Sequence, residues 1–189
     1  VGESGVGLDL AAGDRKSADH IVIAAGPWSD QCLAMSGFYL PLGFERGYHH
    51  HFGTKGNARL NRPVYDAERG YVLAPMDNGI RLTSGVELNH RDAPADYSQI
   101  NFVESFAREI FPITTAIEEV PWRGSRPTLP DGLPMIGQSS RSKRLWIATG
   151  HGHIGFSTGP VSGKALAQEM NGEKSIVDLA PFAPRRYSL

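Results

Sequence analysis

The stretch ATGHGHIGFSTGPVSGKALAQEMNG, residues 148–172, joins the end of an apolar run to a segment that turns helical, and packs glycines 150, 152 and 155 with histidines 151 and 153 into the joint. Glycine permits positive φ and puts no side chain in the way of an approaching ligand, so backbone donors can reach it. A helix is expected from about Ser157 to Met170, with Ser157 or Thr158 placed to cap its start and Asn171-Gly172 to end it. The amides and dipole at such a start favour a partial negative charge. The loop therefore suits an electron-rich carbonyl or an anion. The same pattern also describes a tight strand-to-helix connection that holds nothing, and a lone glycine-rich loop does not separate the two.

Outward from this stretch the chain reads as an α+β mixture. The segment GVGLDLAAGDRKSADHIVIAAG predicts two strands around a Gly13-Asp14 turn, the second being the apolar run Ile21 to Ala25. PWSDQCLAMSG starts a short helix that Gly37 ends. Strand-like segments run from Phe44 to Phe52, Gly70 to Pro75 and Ile80 to Glu87, with Asn78-Gly79 as a hairpin signal between the last two. Ile100, Val103, Phe106, Ala107 and Ile110, spaced by three and four, predict an amphipathic helix over Tyr97 to Phe111, stopped by Pro112. A strand from Glu118 to Gly124, the turn-rich RPTLPDGLPMIG, the strand RLWIATG and the closing helix complete the pattern. The tail APFAPRRYSL reads as loosely packed.

Composition narrows the partners. Nineteen Lys and Arg against 20 Asp and Glu give a net charge of -1, which argues against nucleic acid or an anionic membrane surface. No run of about 18 apolar residues suggests a transmembrane segment. The single cysteine, Cys32, excludes an intramolecular disulfide and makes a reduced, cytoplasmic setting the default. The chain begins at Val1, without methionine, signal peptide or basic leader, and reads as a piece of something longer.

Taken in order, IVIAAGPWS, ERGYH, WRGSRPTLPDGLPMIG and ATGHGHIGFSTGPVSGKALA resemble the flavin-dependent D-amino-acid oxidase and dehydrogenase family over nearly the whole chain. The resemblance implies a carboxyl-terminal half. Residues 1–40 would be part of an FAD-binding domain, residues 41–125 a substrate-binding domain with a largely antiparallel sheet, and residues 126–189 a return to the FAD-binding domain with its last helix. It places Ala25, Gly26 and Trp28 at the turn closing part of the FAD site, and Gly152, His153, Ile154, Gly155, Phe156 and Ser157 against the flavin pyrimidine edge. Arg126, in Gly124-Ser125-Arg126-Pro127, would pair with the substrate carboxylate, its backbone extended by the following proline and its guanidinium suited to a bidentate contact. Tyr48, in Arg46-Gly47-Tyr48, would line the substrate pocket or serve as a strand aromatic.

The activity so implied is oxidation of an amino acid at Cα, a D-amino acid or related secondary amine, by hydride transfer to FAD, with no side-chain base if the amine enters neutral. The glycine turn, G-x-G-x-x-G, that holds the FAD pyrophosphate is missing, and GESGVG has its glycines at the wrong spacing. The expected partners are therefore an amino-acid substrate and the missing amino-terminal FAD-binding half. Without that half the chain is expected to be inactive, to lack FAD and to self-associate as a homo-oligomer through exposed apolar strands. A quinone acceptor would place the protein at the periphery of the inner membrane. Two alternatives stay open: a non-catalytic binding or assembly domain derived from the same fold, and a glycine-loop anion-binding module unrelated to flavin.

The remaining chemistry-bearing residues offer less. His49, His50 and His51 alternate across a strand, so His49 and His51 share one face, and without cysteines or a helical His-x-x-x-His neither they nor His151 and His153 make a metal site. Trp122 and Trp146 read as core, and Trp28 as packing its own turn. The spacing of Glu45, Glu87 and Asp131 supports no acid-base pair.

Overall fold

A computed structural model describes residues 5–187. Its elements run β1 (Val6–Asp9), β2 (Arg15–Ala18), β3 (Ile21–Ile23), α1 (Ser29–Ala34), β4 (Gly43–Thr54), β5 (Val64–Asp66), β6 (Tyr71–Met76), β7 (Gly79–Leu88), α2 (Ser98–Ile110), β8 (Ile113–Ala116), β9 (Trp122–Thr128), β10 (Met135–Gln138), β11 (Leu145–Thr149) and α3 (Gly155–Met170). Mixed α and β structure with mainly antiparallel pairing follows the expected class. The chain divides into two units, Val1–Phe44 with Arg126–Leu189, and Glu45–Ser125.

In the first unit β1 and β2 form an antiparallel hairpin, and a separate sheet has the order β10-β11-β3. The hairpin corrects the sequence reading. Its second strand is the polar Arg15–Ala18, while the apolar Ile21–Ile23 is a third strand running parallel to β11, in register Ile21 with Leu145 and Ile23 with Ile147. Apolar content suits a strand of a parallel pair, and polar content a surface hairpin. Leu33, Phe38, Leu40, Leu129, Met135, Leu145 and Ile147 make one core here; Ile136, Trp146, Ala165, Leu166 and Leu179 make another beneath α3.

As far as Tyr187 the tail is packed rather than loose, and its last two positions lie outside the described residues. Two short 3-10 turns, Ala180–Phe182 and Pro184–Tyr187, lie against the unit, with Leu179 and Pro184 buried and Arg186 Nε 2.9 Å from Asp131 Oδ2. The ion pair that fixes it joins residues 55 apart, which no local pattern announces.

In the second unit the sheet runs β5-β6-β7-β4-β8, with β9 also paired to β4. The hairpin expected at Asn78-Gly79 forms with Asp77 and Asn78 as its loop, Met76 facing Gly79. Gly79, at φ 129, brings its Cα so near the Phe52 carbonyl that a Cβ would lie 2.4 Å from that oxygen. Helix α2 covers one sheet face, burying Ile100, Val103 and Ala107 on Tyr48, Phe52, Leu73, Ile80 and Leu82. Phe106 packs partly against this core, whereas Ile110, expected on the same stripe, is exposed. The strand expected from Glu118 to Gly124 begins at Trp122, and the pairing before it belongs to β8. β5, β8 and β10, of three or four residues each, escaped the sequence reading because such short strands carry almost no periodicity.

Candidate functional site

Because β3 and β11 are parallel neighbours, the loops after them leave the sheet at the same end. One is Ala25–Trp28, the other Gly150–Gly155, and Thr149 Oγ1 ties them by donating to the Gly26 carbonyl at 3.2 Å. Ligands of open parallel sheets collect at this carboxyl end of the strands. Gly150 and Gly152 have φ of 78 and 52, and a Cβ on Gly150 would sit 2.8 Å from Leu129 Cδ1. Gly155 is not left-handed: its φ is -57, and its missing Cβ makes room for the His151 side chain, which would lie 3.1 Å from it.

His151 belongs to the scaffold of the loop. Its Nε2 is hydrogen-bonded to Ser162 Oγ at 3.0 Å, on the inner face of α3, and burial lowers its pKa, so the ring is neutral at pH 7. The expected cap is absent. Ile154 is the N-cap, no side chain closes the helix start, and Thr158 Oγ1 instead donates back to the Ile154 carbonyl at 2.9 Å. Ser157 lies inside the first turn. The positive end of the α3 dipole thus has no side-chain acceptor. Around it Trp28 and Ile154 are more than half exposed and Phe156 is 99% exposed.

Arg126 lies in β9, extended as its proline neighbour requires. Its side chain makes no hydrogen bond or ion pair among the described residues, yet its Nη1 is buried. A buried guanidinium nitrogen without an acceptor is unfavourable until one arrives. Gly124 has a separate role: Trp122 Cη2 would stand 2.3 Å from a Cβ there, so the glycine lets the indole fold back over the strand. Trp122 is accordingly not core. It is mostly exposed and stacks on His49, centroids 4.7 Å apart, whereas Trp146 is buried as expected.

Tyr48 lies inside the second unit. Its hydroxyl donates to Glu87 and accepts from Arg46 Nη2 at 2.9 Å and from the Asp96 amide at 3.2 Å, and the ring meets Tyr97 edge-on. Arg46 also donates to the His90 and Pro94 carbonyls, and its Nε is 3.2 Å from Glu87 Oε2, an ion pair without hydrogen-bond alignment. Hydrogen bonds from Tyr48 and Asn89 hold the Glu87 carboxyl below its usual range. This network fastens the 89–96 loop to the sheet. The geometry gives Tyr48 an interior, bracing position and shows no free hydroxyl.

On the sheet face opposite α2, His49 and His51 do share a side, their centroids 4.9 Å apart, while His50 points to the core side and meets Phe52. His51 is gripped by Glu118, with Nδ1 2.6 Å from Oε1 and the backbone amide donating to Oε2 at 3.0 Å. Arg81, directly across from His51, was missed by the sequence reading, as was Glu118. Burial and the charges of His51 and Arg81 lower the His49 pKa. No group of three or more His, Cys, Asp or Glu among the described residues is placed to hold a metal. No described helix is long and apolar enough to cross a membrane.

Comparison with known proteins is specific. The family described as FAD dependent oxidoreductase matches residues 1–169. A D-amino-acid oxidase of Bradyrhizobium diazoefficiens is 32% identical over 178 residues, 90% of this chain and 41% of that protein. A glycine oxidase of Pseudomonas aeruginosa is 32% identical over 192 residues, 97% of this chain and 50% of that one. Among solved structures, glycine oxidase from Geobacillus kaustophilus superposes with a TM-score of 0.78 at 24% identity, over 96% of this chain and 49% of its own, a likeness of fold. The chain spans half or less of the length of these relatives.

Proposed function

The chain belongs to the FAD dependent oxidoreductase family, and from that premise we propose that it is the carboxyl-terminal half of an enzyme that oxidises an amino acid at Cα, taking a D-amino acid or related secondary amine. The observation that carries the reading is the buried, unpartnered Nη1 of Arg126. Of the anions such a guanidinium accepts, a planar carboxylate matches its fork. An amino acid held by its carboxylate has its Cα orientation set, and that positioning supplies much of the catalysis. FAD, when bound, supplies the hydride acceptor for the Cα–H bond, and the resulting imino acid hydrolyses in water.

The first unit fits one part of that cofactor. Ala25, Gly26 and Trp28 and the Gly152 to Ser157 segment flank one end of a parallel strand pair, and the uncapped α3 start suits an electron-rich ring edge. The exposed Trp28, Ile154 and Phe156 offer it apolar surface. Among the described residues, β3 is also an open edge of its sheet. We assign that edge to a further strand from the missing half, which would bring the pyrophosphate contacts. The alternatives of a non-catalytic domain and of a flavin-independent anion module gain support from neither the geometry nor the comparisons.

The chain alone is expected to fold, to hold FAD weakly or not at all, and to be inactive. Mixing it with the amino-terminal half should generate a bound-flavin spectrum that bleaches anaerobically with an amino-acid substrate. A tightly bound flavin on this chain by itself would overturn the division of labour, and a reconstituted flavoprotein that no amino acid reduces would overturn the activity.

A further inference from the structure

We propose that the sheet face opposite α2 in the second unit carries a carboxylate-binding subsite centred on Arg81, with His49 and His51 beside it. Register brings these residues together. His51 faces Arg81 and His49 faces Thr83 across β4 and β7, while on β6 Ala74 opposes Arg81 and Val72 opposes Thr83. Period-two alternation sends all of them to one face, and the residues between them, His50, Phe52, Ile80 and Leu82, to the other.

Arg81 is a cation of that face, and no carboxylate among the described residues pairs with it. Its Nε is buried without a hydrogen-bond partner, and the side chain forms no ion pair among the described residues. The acid at hand, Glu118, is already committed through both oxygens to His51. His49 does feel the cation: burial first, then the charges of His51 and Arg81, lower its pKa. On the far side of His49 the stacked Trp122 indole forms an apolar wall.

A guanidinium next to two imidazoles, with aromatic cover, is complementary to a small planar oxyanion. The fork takes both oxygens of a carboxylate, and the added negative charge works against the burial and the neighbouring positive charges that lower the His49 pKa. Arg81 and His49 would then close on the ligand as two charge-assisted donors.

The carboxylate has two sources, the side chain of an acidic amino-acid substrate or a free small carboxylate, and one experiment has an arm for each. In the first, the full-length protein with labelled histidines is titrated with malonate and, separately, with sulfate. Malonate should saturate, move the His49 ring resonances and raise the His49 pKa, with sulfate at least tenfold weaker. Arg81→Lys should weaken malonate severalfold, and Arg81→Gln should abolish the shift. The subsite is overturned by absence of saturation, by equal binding of sulfate, or by a shift that survives Arg81→Gln. In the second arm, kcat/KM for D-glutamate is divided by that for D-alanine. A tenfold fall of the ratio in Arg81→Gln assigns the subsite to the substrate side chain, and an unchanged ratio, where the parent protein binds malonate and Arg81→Gln does not, assigns it to a free carboxylate. The second arm rests on the function proposed above, whereas the first reads binding alone and stands if that function fails.

Discussion

Arg46 and Arg126 come from motifs that look alike, Arg-Gly-Tyr and Gly-x-Arg-Pro, and end in opposite states. Arg46 is fully buried, with Tyr48, Glu87 and the His90 and Pro94 carbonyls around its guanidinium. Arg126 has a buried nitrogen and no partner at all among the described residues. A saturated buried cation is structural, since each contact is already made in the folded chain. An unsaturated one is a standing cost to the fold that a ligand can relieve. The contrast separates bracing from binding without reference to any relative.

The hardest blow to this contrast falls on the saturated side. Arg46→Ala would leave Glu87 without its cation and two loop carbonyls without donors, and should destabilise by about 3–5 kcal/mol. Denaturant unfolding followed by tryptophan fluorescence measures it; wild-type stability would show that the network braces nothing.

Next in size, Arg126→Ala in the full-length enzyme should weaken amino-acid binding by about 2–3 kcal/mol, roughly 30- to 150-fold, while leaving the melting temperature unchanged or higher. Arg126→Lys should restore part of the affinity, because a point charge lacks the fork. Flavin reduction against substrate concentration, set beside thermal melts, gives both quantities. A large loss of stability would move Arg126 into the same class as Arg46.

The smallest effect is a pH dependence shared by the two units. His151 and His49 have folded pKa values below the unfolded value near 6.5, His151 through burial and His49 through burial and then its cationic neighbours. Between the folded and unfolded values the unfolded chain binds more protons, so stability is full above about pH 7 and declines as pH falls through 6.5 toward the folded values. Urea midpoints from pH 8 to 5 should show this decline, and His151→Gln should flatten part of it. A midpoint rising with acid would reverse the sign and with it the neutral state assigned to both rings.

Local patterns were legible where a stripe or turn carries its own signal. Ile100, Val103 and Ala107 could be placed on one helix face because their spacing alone aligns them, and the β6–β7 hairpin because its turn residues sit between alternating strands. Trp122 was misplaced because its hydrophobicity says core, while the glycine two residues on and the histidine on β4 give it a surface stack instead. At the glycine loop the sequence identified the residues but not the mechanism. Gly155 serves the His151 side chain rather than a left-handed turn, and Thr158 bonds backward instead of capping.

The sequence by itself determined the alternation of helices and strands, the family motifs, and the short list of arginines and glycines able to meet an anion. Those properties live in residue type and near-neighbour spacing. Only the tertiary structure decided which arginine is braced and which is open, because the groups that satisfy Arg46 lie up to 48 residues away and the strand that sets Arg81 beside His51 lies 30 positions along the chain. A guanidinium's partners are chosen by sheet register and loop path, which are settled by packing over distances that no local pattern spans.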